Sequence, residues 1–192
     1  PTAIAFPRGM TGPRDARHTM THVSAIANED VERLDDLGVI SALQFLWLYK
    51  DPLFELEQAM IGPERALAMY PTRNMLAAGA IMAGASDNPV TPCVVLDEIE
   101  VGVTRNSPYP GEDETDMVRW GEQALSAYDM LKIYTTNVAF EMFRDSYLGT
   151  IEVGKRADLV VLGDDITQID PKAISDTPIL FTLMDGEIVY QP

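Results

Sequence analysis

The sequence predicts an α/β fold, with helices packed on parallel strands up to about Asp87 and mostly β structure after Gly149. The first observation is the order strand, helix, strand, helix, strand over the first half of the chain, which is typical of parallel βαβ units. The second is a change of the hydrophobic period from 3.6 to 2 near Leu148. The third is the pair Asp185-Gly186 between two alternating runs, which is a strong hairpin signal.

The first strand and the first helix are predicted before residue 40. Residues 1–16 contain too many Pro and Gly residues for a regular element, whereas residues 17–22 alternate loosely, as a strand does. A helix then begins with Asn28 as its N-cap and ends at Gly38. The apolar positions on one face of this helix are Val31, Leu34 and Leu37.

Two further strands complete the parallel pattern. Residues 39–45 have the apolar content of a buried strand, and residues 80–85 form a second apolar run. Between these runs the pattern is mixed over residues 51–60 and helical over residues 63–78, because Pro63 suits a first helical turn.

The remainder of the chain changes from helical to β patterns. Helices are predicted over residues 96–104 and 118–143, with a loop at 106–113 between them. The strands predicted after them cover residues 150–153, 157–162, 179–184 and 187–190. A soft boundary near Leu148 therefore divides the chain into a first domain, residues 1–148, and a second domain, residues 149–192.

The charge balance excludes one class of partner. The chain has 192 residues with 14 Lys or Arg and 30 Asp or Glu, which gives a formal net charge of −16. That excess of negative charge excludes a basic nucleic-acid-binding surface. We find no pattern of a signal peptide, transit peptide or membrane-spanning segment, so we expect a cytoplasmic protein with no membrane partner. The single cysteine, Cys93, forbids an internal disulfide.

Three side chains are candidate metal ligands: His18, His22 and Asp87. His22 and Asp87 end predicted parallel strands, which is where chemistry is found in such sheets. His18 and His22 lie about 13 Å apart if both belong to one strand, so only one of them can bind a given ion. The alternative interpretation is structural, with a histidine satisfied at a strand end and Ser86-Asp87-Asn88-Pro89 as a turn.

Four segments of the chain carry motifs that occur in the same order in one enzyme superfamily. The segment GTIEVGKRADLVVL at 149–162 and the helix at 124–139 resemble the closing strand pair and the "AL..YT.NaA" helix of the amidohydrolase superfamily. The segment RHTMTH at 17–22 resembles the "RHRIEH" of the third amidohydrolase family, which includes N-substituted formamide deformylases. The segment GASDNPV at 84–90 resembles the same family's "GSDxPV".

This resemblance implies a fold, a reaction and a pair of ligands. The fold is a (β/α)₈ TIM barrel, represented here by strands six to eight, followed by strands of a small β-sandwich. The activity is metal-dependent hydrolysis of carbon–nitrogen bonds in small, non-peptide amide substrates. His22 is then a metal ligand from strand six, and Asp87 is both a ligand and the general base from strand eight. A divalent cation, with zinc as the expected ion, would polarise the carbonyl and lower the pKa of bound water. His18 matches a position that is not a ligand.

The chain also departs from the family pattern. The family has further ligands on strands one, four and five, whereas this chain contains only two histidines, so it resembles the last third of such an enzyme and is expected to be inactive alone. Thr21 stands where the family has a Glu, a residue that could orient the imidazole of the following histidine. We expect the loops at 51–62 and 106–116 to line the barrel mouth.

A second interpretation is a non-catalytic, truncated amidohydrolase-like protein that serves assembly or binding. In either case the sheet edges need covering, by the missing N-terminal half of the barrel or by a second copy of the chain. A three-strand remnant of a barrel is expected to expose apolar side chains that a complete barrel covers. Those named by the prediction are Val39, Ile40, Leu43 and Phe45.

Overall fold

The first sheet is parallel and three-stranded, as the sequence predicts. In a computed structural model, which describes residues 15–109 and 117–192, it is formed by β1 (His18–Thr21), β2 (Val39–Leu43) and β3 (Met82–Gly84) in the order β1-β2-β3. His18 pairs with Val39, and Ser41 pairs with Met82. All five residues of β2 are buried, as expected for the central strand of a covered parallel sheet.

Helices connect and cover these strands. They are α1 (Asn28–Val31), α2 (Arg33–Leu37), α3 (Phe54–Ile61), α4 (Pro63–Leu67), α5 (Thr72–Ala77), α6 (Val95–Thr104), α7 (Ala127–Tyr134) and α8 (Thr136–Glu141), with short 3-10 turns at Phe45–Trp47, Gly121–Gln123 and Pro171–Ala173. Gly38 ends α2 in the left-handed conformation, with φ 58° and ψ 43°, as predicted. The predicted N-cap was wrong, because Ala27 occupies that position and Asn28 is already helical.

The second sheet is antiparallel and contains β4 (Leu159–Leu162), β5 (Ile179–Met184) and β6 (Glu187–Tyr190), in that order. Asp185 and Gly186 join β5 to β6, and both have positive φ, at 54° and 85°. A two-residue hairpin turn of type I′ requires this conformation at both positions, so the predicted hairpin is confirmed.

The core lies between the parallel sheet and its helices. Alternation along the strands places Met20, Val39 and Leu43 on the face that packs against helices, where a small apolar cavity separates β1 from α2. Gly102 of α6 lies directly against Met130 of α7, so the backbone of α6 approaches closely. The sheet is therefore covered on its helical side by the chain itself.

The expected exposure of four apolar side chains was wrong. Val39, Ile40, Leu43 and Phe45 are each at most 2% exposed. Val39 and Leu43 face the helices, and the ring of Phe45 contacts that of Tyr134 at a centroid distance of 6.0 Å. The apolar side chains that remain exposed lie elsewhere, and many belong to the second sheet: Val160, Val161, Met184, Ile188, Val189 and Tyr190.

Two long predicted helices are interrupted. The helix predicted over 63–78 is divided between α4 and α5, because Tyr70 adopts a left-handed φ of 57° and Pro71 follows it. The helix predicted over 118–143 begins only at Ala127, where the Ser126 hydroxyl accepts a hydrogen bond from the backbone N–H of Asp129 as an N-cap. Thr135, with φ −123° and ψ −80°, then separates α7 from α8.

The strand predicted over 150–153 is absent, and the segment is irregular. Gly149 precedes it with a φ of 90°, a conformation that only glycine adopts easily. The Lys155 ammonium then donates to the carbonyls of Asp145 and Leu148 and to the Thr150 hydroxyl, so side-chain hydrogen bonds replace a strand ladder here.

Residues between β4 and β5 return to the first sheet's core. Ile166 and Ile174 are buried in the same apolar cluster as the β2 side chains, and the backbone N–H of Ser175 donates to the carboxylate of Glu100 on α6.

The boundary near Leu148 stays a prediction. The irregular start at 1–16 lies almost wholly outside the described residues, as does most of the loop predicted at 106–116. None of the helices in the described ranges has the length and apolar character that a membrane crossing requires.

Candidate functional site

The carboxyl ends of β1 and β3 each carry one predicted site residue. His22 follows β1 directly, and Asp87 lies three residues beyond Gly84, the last residue of β3. Because the three strands are parallel, both residues lie at the same edge of the sheet, with β2 between their strands. That edge is where parallel sheets build their ligand sites.

The imidazole of His22 is held by two residues that follow β2. Its Nδ1 lies 2.8 Å from Oε1 of Gln44, whose side chain is almost fully buried. Its ring stacks on the indole of Trp47, with centroids 5.2 Å apart and planes inclined by 16°. An amide oxygen can only accept, so this contact suits a ring that carries its proton on Nδ1 and keeps the Nε2 lone pair for another partner.

The backbone around both residues is in an uncommon conformation. His22 and Val23 have φ values of 70° and 43°, and Asp87 has a φ of 57°. Left-handed φ is rare for a β-branched residue such as Val23 and costs of order 1–3 kcal/mol at such positions. Backbone strain of this kind clusters at functional sites, so its presence after both β1 and β3 favours a functional edge.

Asp87 sits in an exposed turn. Its carbonyl accepts the backbone N–H of Val90 at 2.8 Å, and the Thr91 hydroxyl donates to the carbonyl of Ser86. Within residues 15–109 and 117–192, no protein group hydrogen-bonds the Asp87 carboxylate, so both of its oxygens are available to a ligand. Cys93, which is exposed, lies beside this turn with its Sγ 3.2 Å from Oγ of Ser86.

His18 does not share this edge. It begins β1 and pairs with Val39, so it lies at the opposite end of the strand from His22. Its Nε2 is buried without a hydrogen-bond partner in the part of the chain that the structure describes. Thr21, the residue before His22, is exposed, and the contact to the His22 ring comes from Gln44 instead.

The donors present match part of a zinc site. A neutral imidazole nitrogen and a carboxylate are both zinc ligands, and metal-binding histidines commonly donate their second ring N–H to another group. The amide oxygen of Gln44 is an acceptor placed for such a hydrogen bond from His22. A catalytic zinc normally has three protein ligands. Across the two described ranges, no group of three or more His, Cys, Asp or Glu side chains could hold a metal ion. The chain therefore offers two donors and would need others to complete a site.

Other buried charged groups belong to the scaffold. Glu98 on α6 accepts the Tyr134 hydroxyl, and burial raises the pKa of Glu98. The buried guanidinium of Arg105 donates to the carbonyls of Arg119, Tyr70 and Met69. These hydrogen bonds connect the segment that contains Arg119 to the segment that contains Met69 and Tyr70. The Tyr134 ring that holds Glu98 lies against Gly84, at the carboxyl end of β3.

Sequence reasoning missed Gln44 and Trp47. The signal available was a glutamine near the end of the largely apolar run 39–45, followed shortly by a tryptophan. Neither residue belongs to a motif, and their contact with His22 joins positions more than 20 residues apart.

Comparisons with known proteins agree on one family. A family model described as "Amidohydrolase family" matches residues 3–190. YtcJ of Bacillus subtilis (strain 168), a protein named as an amidohydrolase, is 27% identical over 184 residues, which cover 93% of this chain and 33% of YtcJ. The N-substituted formamide deformylase of Arthrobacter pascens is 32% identical over 125 residues, covering 65% of this chain and 22% of the deformylase. The chain therefore spans a third or less of the length of these relatives.

A solved structure agrees at the level of the fold. The crystal structure of an uncharacterized metal-dependent hydrolase from Pyrococcus horikoshii OT3 superposes with a TM-score of 0.68 at 22% identity. The match covers 88% of this chain and 32% of that protein.

Proposed function

Because the chain belongs to the amidohydrolase family, we propose that it is the C-terminal part of a metal-dependent hydrolase acting on carbon–nitrogen bonds of small, non-peptide amides. In this proposal β1, β2 and β3 are strands six to eight of a (β/α)₈ barrel, and the second sheet belongs to a small β-sandwich. The upstream part of the protein supplies the remaining strands and the remaining ligands.

One observation supports this function above all others. The oriented imidazole of His22 and the unengaged carboxylate of Asp87 lie at the same edge of one parallel sheet. His22 would bind the ion through Nε2, and Asp87 would bind it through a carboxylate oxygen. The ion, with zinc as the expected one, would polarise the substrate carbonyl and acidify the attacking water.

Asp87 has the second role in the reaction. Its carboxylate accepts a proton from the water that attacks the amide carbon, and then delivers that proton to the leaving nitrogen as the carbon–nitrogen bond breaks. The exposed position of Asp87 suits this exchange, since neither oxygen is committed to the surrounding turn. The stack on Trp47 keeps His22 from turning away from the edge.

A non-catalytic role is the second candidate, and one observation favours it. The described part of the chain brings only two donors to the edge, too few for a catalytic zinc. The two candidates differ in whether the product of the complete reading frame binds metal and hydrolyses amides.

The test uses that complete product with Asp87→Asn, which preserves the size and turn preference of the side chain but removes the base. Hydrolysis of N-substituted formamides, cyclic imides, N-acyl amino acids and a dipeptide is measured for each protein. We expect turnover of a non-peptide amide to fall about 10²- to 10⁴-fold in Asp87→Asn. The matched control is Asp185→Asn, because Asp185 is also an exposed turn aspartate with left-handed φ but lies in the turn between β5 and β6.

Full turnover in Asp87→Asn would overturn the catalytic assignment. A metal-free wild-type protein that hydrolyses none of these substrates would favour the non-catalytic candidate.

A further inference from the structure

We propose that Gln44 is a positioning residue for His22, which fixes the imidazole in its Nδ1–H tautomer and leaves Nε2 as the nitrogen that faces a ligand. The tautomer follows from contacts within the chain. The use of Nε2 to bind a metal rests on the proposed function.

The geometry of Gln44 supports this role. Its side chain is 1% exposed, and Oε1 lies 2.8 Å from Nδ1 of His22. Burial removes water as a competing partner for the Gln44 amide oxygen, so the hydrogen bond to His22 decides where the ring proton sits. The amide oxygen accepts, and the ring nitrogen it faces must therefore donate.

The same residue also places the second contact. The backbone carbonyl of Gln44 accepts the N–H of Trp47 at 3.0 Å and so begins the 3-10 turn Phe45–Trp47. That turn presents the indole to the face of the His22 ring. The ring is thus restrained in its plane by the hydrogen bond and across its face by the stack.

The backbone at His22 is itself in a strained conformation that is held in place. The φ of His22 is 70°, and the backbone N–H of His22 donates to the carbonyl of Ala42 at 2.8 Å. The backbone thus fixes where the side chain begins, and Gln44 fixes how the ring is oriented. Preorganisation of this kind is how the partners of metal ligands raise affinity.

The tautomer can be measured directly on the 192-residue chain without metal. The sequence contains only two histidines, so long-range ¹H–¹⁵N spectra of ring-labelled protein give one pattern for His22 and one for His18. Spectra are recorded at a pH where both rings are neutral. We expect wild-type His22 to be in the Nδ1–H form, the opposite of the form that free histidine favours in water.

Two substitutions separate positioning from packing. Gln44→Leu keeps the approximate size of the side chain without an acceptor, and Gln44→Glu keeps an acceptor. We expect His22 to shift towards the Nε2–H form in Gln44→Leu and to keep the Nδ1–H form in Gln44→Glu. The pattern of His18 should be the same in all three proteins. A wild-type His22 in the Nε2–H form, or the same His22 tautomer in Gln44→Leu as in wild type, would overturn the proposal.

A metal-binding arm separates this proposal from the proposed function. In the product of the complete reading frame, Gln44→Leu should weaken zinc affinity about 10- to 100-fold relative to Gln44→Glu. If Gln44→Leu changes the tautomer while His22→Asn leaves zinc affinity unchanged, Gln44 positions the ring but His22 is not a ligand. If His22→Asn abolishes zinc binding while the tautomer does not depend on Gln44, then His22 is a metal ligand but Gln44 does not position it.

Discussion

The ring of Tyr134 lies so close to Gly84 that a β-carbon on this glycine would overlap it. The hydroxyl of the same tyrosine donates to the buried carboxylate of Glu98 on α6. Tyr134 is therefore wedged between the carboxyl end of β3 and α6, and the Asn137 side chain adds a 2.8 Å hydrogen bond to the carbonyl of Met82. This packing supports the strand that leads to Asp87.

We expect Gly84→Ala to destabilise the chain. The added methyl group must displace the Tyr134 ring or the strand, and overpacking of this kind costs about 1–3 kcal/mol. Urea unfolding followed by circular dichroism measures the loss. Gly121→Ala is the matched control, because a β-carbon there meets nothing nearer than 3.5 Å, and its midpoint should stay close to that of wild type. Equal midpoints for the two variants would contradict this packing.

Glu98 makes stability depend on pH. Burial raises the pKa of its carboxyl, the Tyr134 hydroxyl opposes that shift, and Asp97 adds to it. A carboxyl whose folded pKa lies above its unfolded value favours the folded state at low pH. That contribution is lost as the pH rises through the folded pKa.

We expect Glu98→Gln to gain stability relative to wild type as the pH rises from about 4 to about 7, since Gln remains neutral throughout. Urea unfolding at both pH values gives the difference in the free energy of unfolding between Glu98→Gln and wild type at each pH. Other buried acids such as Glu100 are present in both proteins and cancel. Glu187→Gln, at an exposed position on β6, is the matched control, and Glu98→Gln should show the larger change between the two pH values. If the stability of Glu98→Gln relative to wild type fell as the pH rose towards neutral, the predicted pH dependence would be contradicted.

Local patterns predicted the elements that local forces determine. Loose alternation over residues 17–22 and the apolar runs at 39–45 and 80–85 predicted the three parallel strands, and the Asp185-Gly186 pair predicted the hairpin. Both features depend on neighbouring residues alone. The same patterns placed His22 and Asp87 after their strands, at the edge where the structure has them.

Contacts between distant elements were not predictable in this way. Hydrophobic spacing continues smoothly through residue 135, yet Thr135 breaks the helix where α7 and α8 pack separately against β3. Apolar alternation over 150–153 predicted a strand, but hydrogen bonds from Lys155 hold that region in a turn. The contact between Gln44 and His22 likewise exists only once β1 and β2 are paired.

Anomalous diffraction at the zinc edge, on crystals of the complete reading-frame product grown with zinc, tests the site most directly. We expect a peak near 2.0–2.2 Å from both Nε2 of His22 and a carboxylate oxygen of Asp87, with further ligands from upstream residues. The peak should disappear or weaken strongly in His22→Asn and persist in His18→Asn. A peak that touches neither His22 nor Asp87, or side chains that point to opposite ends of the sheet, would contradict the assignment.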